Sequence, residues 1–244
     1  MRPFKDVEKI QSFGDPTGYY TRNTERSLPI MTKALTIGII VFDGVLTSEV
    51  IGLAEVFAIA SKQAWFKGTQ VVLIGVEPQP TIRTEEGIHI GVDTTIADDL
   101  ALDVLLVPGG NDMNPLLQHE RLNAFIQKHE ARAQWLGSVC AGAFLLGHAG
   151  VLDGKRATTW FGGEERLQTQ FPAITVIHDQ PVVLDKRRIT ANGGLVSYQA
   201  ALVLLGQLSS AEDAQQVYES LGMDRLDTWA EIEATITSQH RIPA

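Results

Sequence analysis

The stretch from Trp135 to Gly150, Trp-Leu-Gly-Ser-Val-Cys-Ala-Gly-Ala-Phe-Leu-Leu-Gly-His-Ala-Gly, decides the fold. Its first part, Trp135 to Val139, is an apolar run of strand length. Its second part, Ala141 to Ala149, is rich in helix-forming residues and is followed by glycine at a typical C-cap position. The stretch therefore predicts a strand that turns sharply into a helix.

Cys140, the only cysteine among the 244 residues, falls between the two runs, and Ser138 and Gly142 leave room for a sharp turn. A reactive residue on such a turn forms a nucleophile elbow, here with sulfur in place of a serine oxygen. Free N–H groups at a helix start favour a thiolate, so we expect Cys140 to be ionised at neutral pH. The alternative is a buried, inert cysteine, which is the commoner fate of a lone cysteine.

This region resembles the ThiJ/PfpI family, which belongs to the class I glutamine amidotransferase-like superfamily. The likeness is carried by Ser-Val-Cys-Ala-Gly-Ala-Phe-Leu-Leu at 138–146 and Ala-Gly-Val-Leu-Asp-Gly-Lys-Arg-Ala-Thr-Thr at 149–159. It extends from about Leu35 to Gly206. The resemblance implies an α/β fold, a flavodoxin-like three-layer sandwich with a mainly parallel central sheet and a cysteine elbow. It also implies a homodimer.

The composition limits which binding partners and which cellular compartment are expected. A net charge of −9 argues against a nucleic-acid partner, which would need a basic face. A single cysteine suits a reducing compartment. No apolar stretch approaches the ~20 residues of a membrane span, and the first thirty residues lack the apolar core of a signal peptide. We therefore expect a cytoplasmic protein that does not contact a membrane and acts on a small molecule. Scattered histidines and the lack of a nucleotide-binding glycine motif predict no metal and no cofactor.

The chain is expected to have two parts. Residues 1–32 are polar and show no sustained hydrophobic periodicity. They predict an N-terminal arm that either lies on the domain or is disordered, and Met31 is an alternative start of the chain. Residues 33–244 predict a single ThiJ/PfpI-like domain with a C-terminal helical extension.

Apolar strands alternate with helices in this domain, which predicts a mainly parallel sheet covered on both faces. Leu35 to Phe42 has the pattern of a central strand. Thr47 or Ser48 should cap the next helix, Thr81 to Asp93 should form a hairpin, and one helix should run from about Asn114 to Glu130.

Three turns follow predicted strands: Asp43-Gly44, Gly109-Gly110 and the turn at Cys140. Sites in open parallel sheets form at the carboxyl ends of strands, so these turns should meet at one edge. Glu49 lies at the start of the first helix, where a carboxylate commonly stabilises the helix dipole. The resemblance implies instead that Glu49 contacts the reactive cysteine, where a buried carboxylic acid would manage protons.

The Gly109-Gly110 pair is ordinary turn chemistry, but glycine also lets a backbone N–H approach a developing anion. The resemblance implies an oxyanion hole formed by the N–H groups of Gly110 and Ala141. We further assign Gly109, Trp160 and Asn192 to the substrate pocket.

Many family members carry a histidine at one of the positions occupied here by Ala141 and Trp160. Because a cysteine hydrolase normally needs imidazole as its base, a Cys–His protease, amidase or glyoxalase is not supported. The sequence instead resembles the isonitrile hydratases of the family, hydro-lyases in which a cysteine attacks a terminal isocyanide carbon and a thioimidate is hydrolysed to a formamide. Those enzymes typically carry threonine and aspartate where this chain has Ala141 and Glu49. The alternatives are a non-catalytic redox or small-molecule sensor that uses Cys140, and a His-dependent amidase or protease-like hydrolase.

Overall fold

The computed structural model describes residues 34–228, 230 and 231, so the predicted N-terminal arm lies outside the described residues. By its contacts the chain divides into two units, residues 28–224 and a unit made of residues 1–27 and 225–244. The second unit is described only at 225–228, 230 and 231, where the N–H of Thr228 donates to the Glu231 carboxylate at 2.7 Å. The sheet and the cavity both belong to residues 28–224.

Eleven strands and seven α-helices are formed by the described residues. The strands are β1 (Thr36–Val41), β2 (Gln70–Gly75), β3 (Thr81–Arg83), β4 (His89–Gly91), β5 (Thr94–Thr95), β6 (Val104–Val107), β7 (Trp135–Val139), β8 (Arg156–Ala157), β9 (Thr175–Val176), β10 (Val182–Asp185) and β11 (Arg188–Ala191). The helices are α1 (Thr47–Ala60), α2 (Asn114–Leu117), α3 (Glu120–Arg132), α4 (Gly142–His148), α5 (Glu164–Gln170), α6 (Val196–Leu208) and α7 (Ala211–Ser220). Short 3₁₀ helices lie at Ala64–Phe66 and Met223–Arg225.

The central sheet has seven strands in the order β10-β11-β7-β6-β1-β2-β5. Every pair is parallel except β10 with β11, which is antiparallel. In β1, Ile39 pairs with Leu73 of β2 on one side and with Leu106 of β6 on the other. The predicted central strand and the predicted mainly parallel sheet are confirmed, and β3 and β4 form the predicted hairpin.

Helices cover the sheet in two groups, which gives the three-layer α/β sandwich. Helix α1 packs against α6 and α7, whereas α4 packs against α2 and α3. The central strands β1 and β6 are apolar and almost wholly buried, as a parallel sheet covered on both faces requires, whereas β2, β5 and β10 towards the sheet edges are partly exposed. None of the helices formed by the described residues is long and apolar enough to cross a membrane.

Two local predictions were wrong. Helix α1 has Leu46 at its N-cap without a side-chain cap, and the Thr47 hydroxyl instead lies 2.6 Å from the Glu86 carboxylate of the hairpin loop. The helix expected from Asn114 to Glu130 is divided in two, because His119 adopts an extended conformation and starts α3. The imidazole Nδ1 of His119 accepts the N–H of Leu122 at 3.1 Å and thus caps the second helix.

The start of α4 packs directly on the end of β6. A Cβ atom at Gly142 would overlap the carbonyl oxygen of Val107 and would lie 3.0 Å from that of Pro108. These atoms belong to the backbone and cannot rotate away. The close approach of α4 to the sheet therefore requires glycine at position 142.

We expect Gly142→Ala to lower the free energy of unfolding by about 3 kcal/mol, because a methyl group must displace backbone at the strand end. Gly206→Ala within α6 is the matched control, since its Cβ would meet only the Ala214 methyl of α7 at 3.7 Å. That change should raise the free energy of unfolding by about 0.5–1 kcal/mol through helix propensity. Urea unfolding of both variants measures the difference, and equal effects would contradict the packing constraint.

Candidate functional site

Four neighbouring strands, β11, β7, β6 and β1, end at one edge of the sheet and bring their following turns together. The N–H of Leu46 donates to the carbonyl of Gly109 at 3.1 Å, which joins the turns after β1 and β6. A Cβ at Gly109 would lie 2.7 Å from the backbone nitrogen of Ala141, so the turn after β7 is equally close. The three turns predicted to meet are therefore in contact.

A fourth turn, Gly193-Gly194 after β11, was not predicted from the sequence. A Cβ at Gly193 would overlap the Glu49 carboxylate oxygen Oε1 and lie 2.6 Å from the Cβ of Cys140. Only glycine fits there without displacing the two groups. The signal was present in the sequence, because this Gly-Gly pair, like Gly109-Gly110, closely follows a predicted strand.

The backbone of Cys140 is held in a strained conformation between β7 and α4. Its φ of +53° lies in the left-handed region, which non-glycine residues seldom adopt. Its N–H donates to the carbonyl of Ala191 at 2.9 Å, and its carbonyl accepts the Thr159 hydroxyl at 2.7 Å. Strand β11 on one side and the segment after β8 on the other thus fix the direction of the thiol.

The Glu49 side chain is fully buried next to this thiol. Its Oε2 accepts the N–H of Gly109 at 2.7 Å, and its Oε1 accepts the N–H of Gly194 at 3.3 Å. It is also hydrogen-bonded to the thiol of Cys140. Burial raises the pKa of Glu49, and these hydrogen bonds, which lower it, do not fully offset that effect. Glu49 is thus far more than a dipole partner on the helix surface.

The Cys140 thiol is correspondingly hard to ionise. Burial, and then the negative charge of Glu49, raise its pKa to about 12. The Ala141 N–H lowers the pKa, as expected at a helix start, but this effect is smaller than the other two. The expectation of a thiolate at neutral pH is therefore wrong for the free protein. The proton of the thiol is thus held within the buried pair formed by Cys140 and Glu49.

A cavity of about 260 Å³ opens onto Cys140. Of the predicted residues, Gly110, Ala141 and Trp160 line it with the cysteine. The ring of Trp160 stacks on that of Phe144, with centroids 5.1 Å apart and planes at 26°. Besides Phe144, the other lining residues are Asn111, Met113, Asn114, Leu117 and Arg166, none of which was predicted. They come from α2, α5 and the loop after β6, where sequence patterns carry little information about a pocket.

Two residues assigned to the pocket lie behind its wall. Gly109 packs against Ala141 and gives its N–H to Glu49. The Asn192 side-chain amide donates to the carbonyl of Thr159. Both residues therefore support the groups around Cys140, and neither is among the residues that line the cavity.

No imidazole reaches the cavity from the described part of the chain. Five of the six histidines are described, and none of the five lines it. His129 is buried between the carbonyls of Phe125 and Leu100, and His119 caps α3. Within the same residues, no group of three or more His, Cys, Asp or Glu side chains is placed to hold a metal ion. The cysteine is therefore partnered by a carboxyl group.

The chain is similar to known proteins over most of its length. The sequence model of the DJ-1/PfpI family matches residues 35–206. A protein named isonitrile hydratase from Pseudomonas putida is 34% identical over 184 residues, which are 75% of this chain and 76% of that protein. The HTH-type transcriptional regulator GbdR of Pseudomonas aeruginosa is 27% identical over 141 residues, 56% of this chain and 38% of the regulator.

Among solved structures, a ThiJ/PfpI family protein from Pseudomonas syringae has a TM-score of 0.70 at 23% identity. The match covers 89% of this chain and 83% of that one. At this identity the likeness shows the shared fold.

The carboxylate of Glu49 should control the ionisation of Cys140. In Glu49→Gln the negative charge is lost, so the pKa of Cys140 should fall from about 12 while burial keeps it above that of a free thiol. A fall of about one unit gives about tenfold more thiolate, and its lower nucleophilicity leaves about a threefold faster alkylation by iodoacetamide at pH 8.

The measurement is a pH–alkylation profile for the single cysteine, followed by intact mass. Glu55→Gln is the matched control, because it makes the same charge change on the exposed side of α1. A native profile that levels off below pH 9, or equal rates in the two variants, would contradict the role of Glu49.

Proposed function

The chain belongs to the DJ-1/PfpI family, and from this premise we propose that it is a cysteine-dependent hydro-lyase that hydrates a small isocyanide to the corresponding formamide. The observation that carries the proposal is the proton-sharing pair of Cys140 and Glu49, placed on a small cavity that the described histidines do not reach. The 34% identity to a protein named isonitrile hydratase supports the choice of electrophile.

In the first step, the thiol adds to the terminal carbon of R–N≡C. Glu49 accepts the proton of Cys140, the sulfur forms the S–C bond, and Glu49 delivers the proton to the same carbon. The product is a thioimidate, S–CH=N–R, with every atom of thiol and isocyanide retained. A protonated sulfur beside a carboxylate suits this addition, because the reaction consumes the thiol proton.

In the second step, water adds across the C=N bond of the thioimidate. Glu49 takes a proton from water and passes it to nitrogen, while the oxygen bonds to carbon. The C–S bond then breaks, the hydroxyl proton returns through Glu49 to Cys140, and the formamide HC(=O)–NH–R leaves. We assign the N–H groups of Gly110 and Ala141 to the oxygen of the intermediate, since both residues line the cavity beside the sulfur.

This chemistry has no amine to expel before water attacks, so one carboxyl group can manage every proton transfer. A peptide or amide substrate would instead need an acid to protonate the leaving amine, which imidazole usually supplies. Trp160 occupies a position where many family members carry a histidine. Its indole ring stacks on Phe144 and cannot protonate a leaving amine.

We expect the native protein to convert an alkyl isocyanide to its formamide and to leave simple amides and peptides intact. Cys140→Ala should abolish the hydration. Glu49→Gln should lower kcat by about 10²–10⁴-fold, because no proton carrier remains, although its cysteine alkylates faster. The measurement is loss of the isocyanide infrared band with appearance of the formamide.

His178→Ala is the matched control for a missing base, since this exposed histidine lies outside the cavity wall and should be dispensable. Amide turnover by the native protein that is lost in this variant would establish the His-dependent hydrolase instead. Hydration that survives Cys140→Ala would refute the mechanism.

A small-molecule sensor is the second candidate, and the similarity to a transcriptional regulator is the observation that favours it. Oxidation sensing fits less well, because susceptibility to oxidation follows thiolate character and the pKa of Cys140 is raised to about 12. A protein inert toward isocyanides that binds a small molecule in the cavity without turnover would support this candidate.

We also propose that the chain forms a homodimer, as its family resemblance implies. Two apolar side chains on loops at the site edge support this: Phe161 after Trp160 is 88% exposed, and Leu195 after Gly194 is 74% exposed. Light scattering should give twice the 26.6 kDa of one chain. Phe161→Ser with Leu195→Ser should weaken the dimer at least tenfold, whereas the control Ile88→Ser on the hairpin should not. A native monomer at micromolar concentration would refute the proposal.

A further inference from the structure

Arg166 is the one charged side chain among the described residues that line the cavity at Cys140. It lies on α5 and is exposed. Within the described residues, no carboxylate lies within ion-pairing distance of its guanidinium. The rest of the cavity wall is uncharged apart from the titratable thiol of Cys140, and the whole chain has a net charge of −9.

The Arg166 guanidinium is held in place by an aromatic ring. Its central carbon lies 5.5 Å from the centroid of Phe144, which is within the range of a cation–π contact. Phe144 is itself fixed by stacking on Trp160 and by edge contact with Phe171 at 6.0 Å. A Cβ at Gly163 would overlap the Trp160 ring, so that ring has little freedom. The cation is thus positioned by a packed cluster, with its N–H donors left for another group.

We propose that Arg166 binds the carboxylate of the substrate that reacts at Cys140, so that the preferred substrate is a small isocyanide bearing a carboxylate. This inference rests on the proposed function, and it adds a specificity-determining residue and a substrate class. A planar guanidinium donates two parallel hydrogen bonds to a carboxylate, and the exposed amides of Asn111 and Asn114 in the same wall offer further donors. Met113 and Leu117 contact the carbon chain between the two ends.

The electrostatics make the proposal specific to this residue. The overall charge of the protein and the carboxylate of Glu49 both repel an anion from the cavity. Any preference for an anionic reagent must therefore come from a local cation, and Arg166 is the one that the cavity wall provides. Removing it should slow the reaction of anionic reagents and leave that of neutral reagents unchanged.

The first experiment uses alkylation of the single cysteine and needs no turnover. Two matched pairs of reagents are compared at pH 9: iodoacetate with iodoacetamide, and N-iodoacetylglycine with its primary amide. The second pair places the carboxylate farther from the reacting carbon. We expect Arg166→Gln to lower the carboxylate-to-amide rate ratio by about tenfold in at least one pair, and Arg166→Lys to retain part of it.

Arg121→Gln is the matched control, because it changes the net charge equally at an exposed position on α3 outside the cavity wall. It should leave both ratios within about twofold of the native values, since exposed charges at a distance are screened. The proposal would be overturned if native protein and Arg166→Gln had the same carboxylate-to-amide rate ratio. It would also be overturned if Arg166→Gln and Arg121→Gln lowered that ratio equally. Failure of every reagent to label Cys140 would overturn it together with the proposed function.

The second experiment measures hydration of isocyanoacetate against isocyanoacetamide. We expect kcat/KM to favour the carboxylate about tenfold and Arg166→Gln to remove this preference mainly through KM. Hydration of both compounds without preference, unchanged in the variant, would overturn the role of Arg166 and leave the hydratase proposal standing. An Arg166-dependent alkylation ratio without hydration would support the anion site and refute the hydratase.

Discussion

The carboxyl group of Glu49 is the interaction on which the site depends. It is fully buried and joins three turns of the sheet edge, through the N–H of Gly109, the N–H of Gly194 and the thiol of Cys140. A buried carboxyl without such partners would cost several kcal/mol. The hydrogen bonds offset that cost only when all three turns are in place, so the fold and the protonation of the cysteine are set together.

Close approach of backbone to backbone makes this arrangement possible. Glycines at 109, 142 and 193 stand where a Cβ would meet Ala141, Val107 or Glu49. Each lies close to the end of a strand, and together they let three turns converge within hydrogen-bonding distance of the Glu49 side chain. Cys140, which is not a glycine, adopts a strained left-handed backbone conformation at the turn after β7. The same close packing that desolvates the site raises the pKa of both titrating groups.

The fold could be predicted from the sequence because its signals are local: apolar strand runs, helix periods and glycine turns at strand ends. The meeting of the turns at Gly44, Gly109 and Cys140 also followed, since parallel strands end at one edge, whereas the contact of Glu49 with Cys140 was implied only by the family resemblance. The ionisation of Cys140 did not follow, because desolvation depends on burial that no local pattern records. Arg166 and the Gly193 turn were missed for a related reason, as loop residues acquire their neighbours only in the folded chain. The helix break at His119 was not predicted, because histidine is not among the residues that usually cap a helix N-terminus.

The protonation of the pair decides which chemistry the site favours. A cysteine beside imidazole transfers its proton at rest and presents a thiolate, which suits carbonyl attack and later protonation of an amine. Here burial and then the Glu49 carboxylate raise the pKa of the thiol, so in the proposed reaction the sulfur and its proton enter together. An electrophile that must gain both a nucleophile and a proton at one carbon uses this pair fully, and the terminal carbon of an isocyanide meets that requirement. Under the proposed hydration, proton transfer through Glu49 needs no histidine, and the described cavity wall contains none.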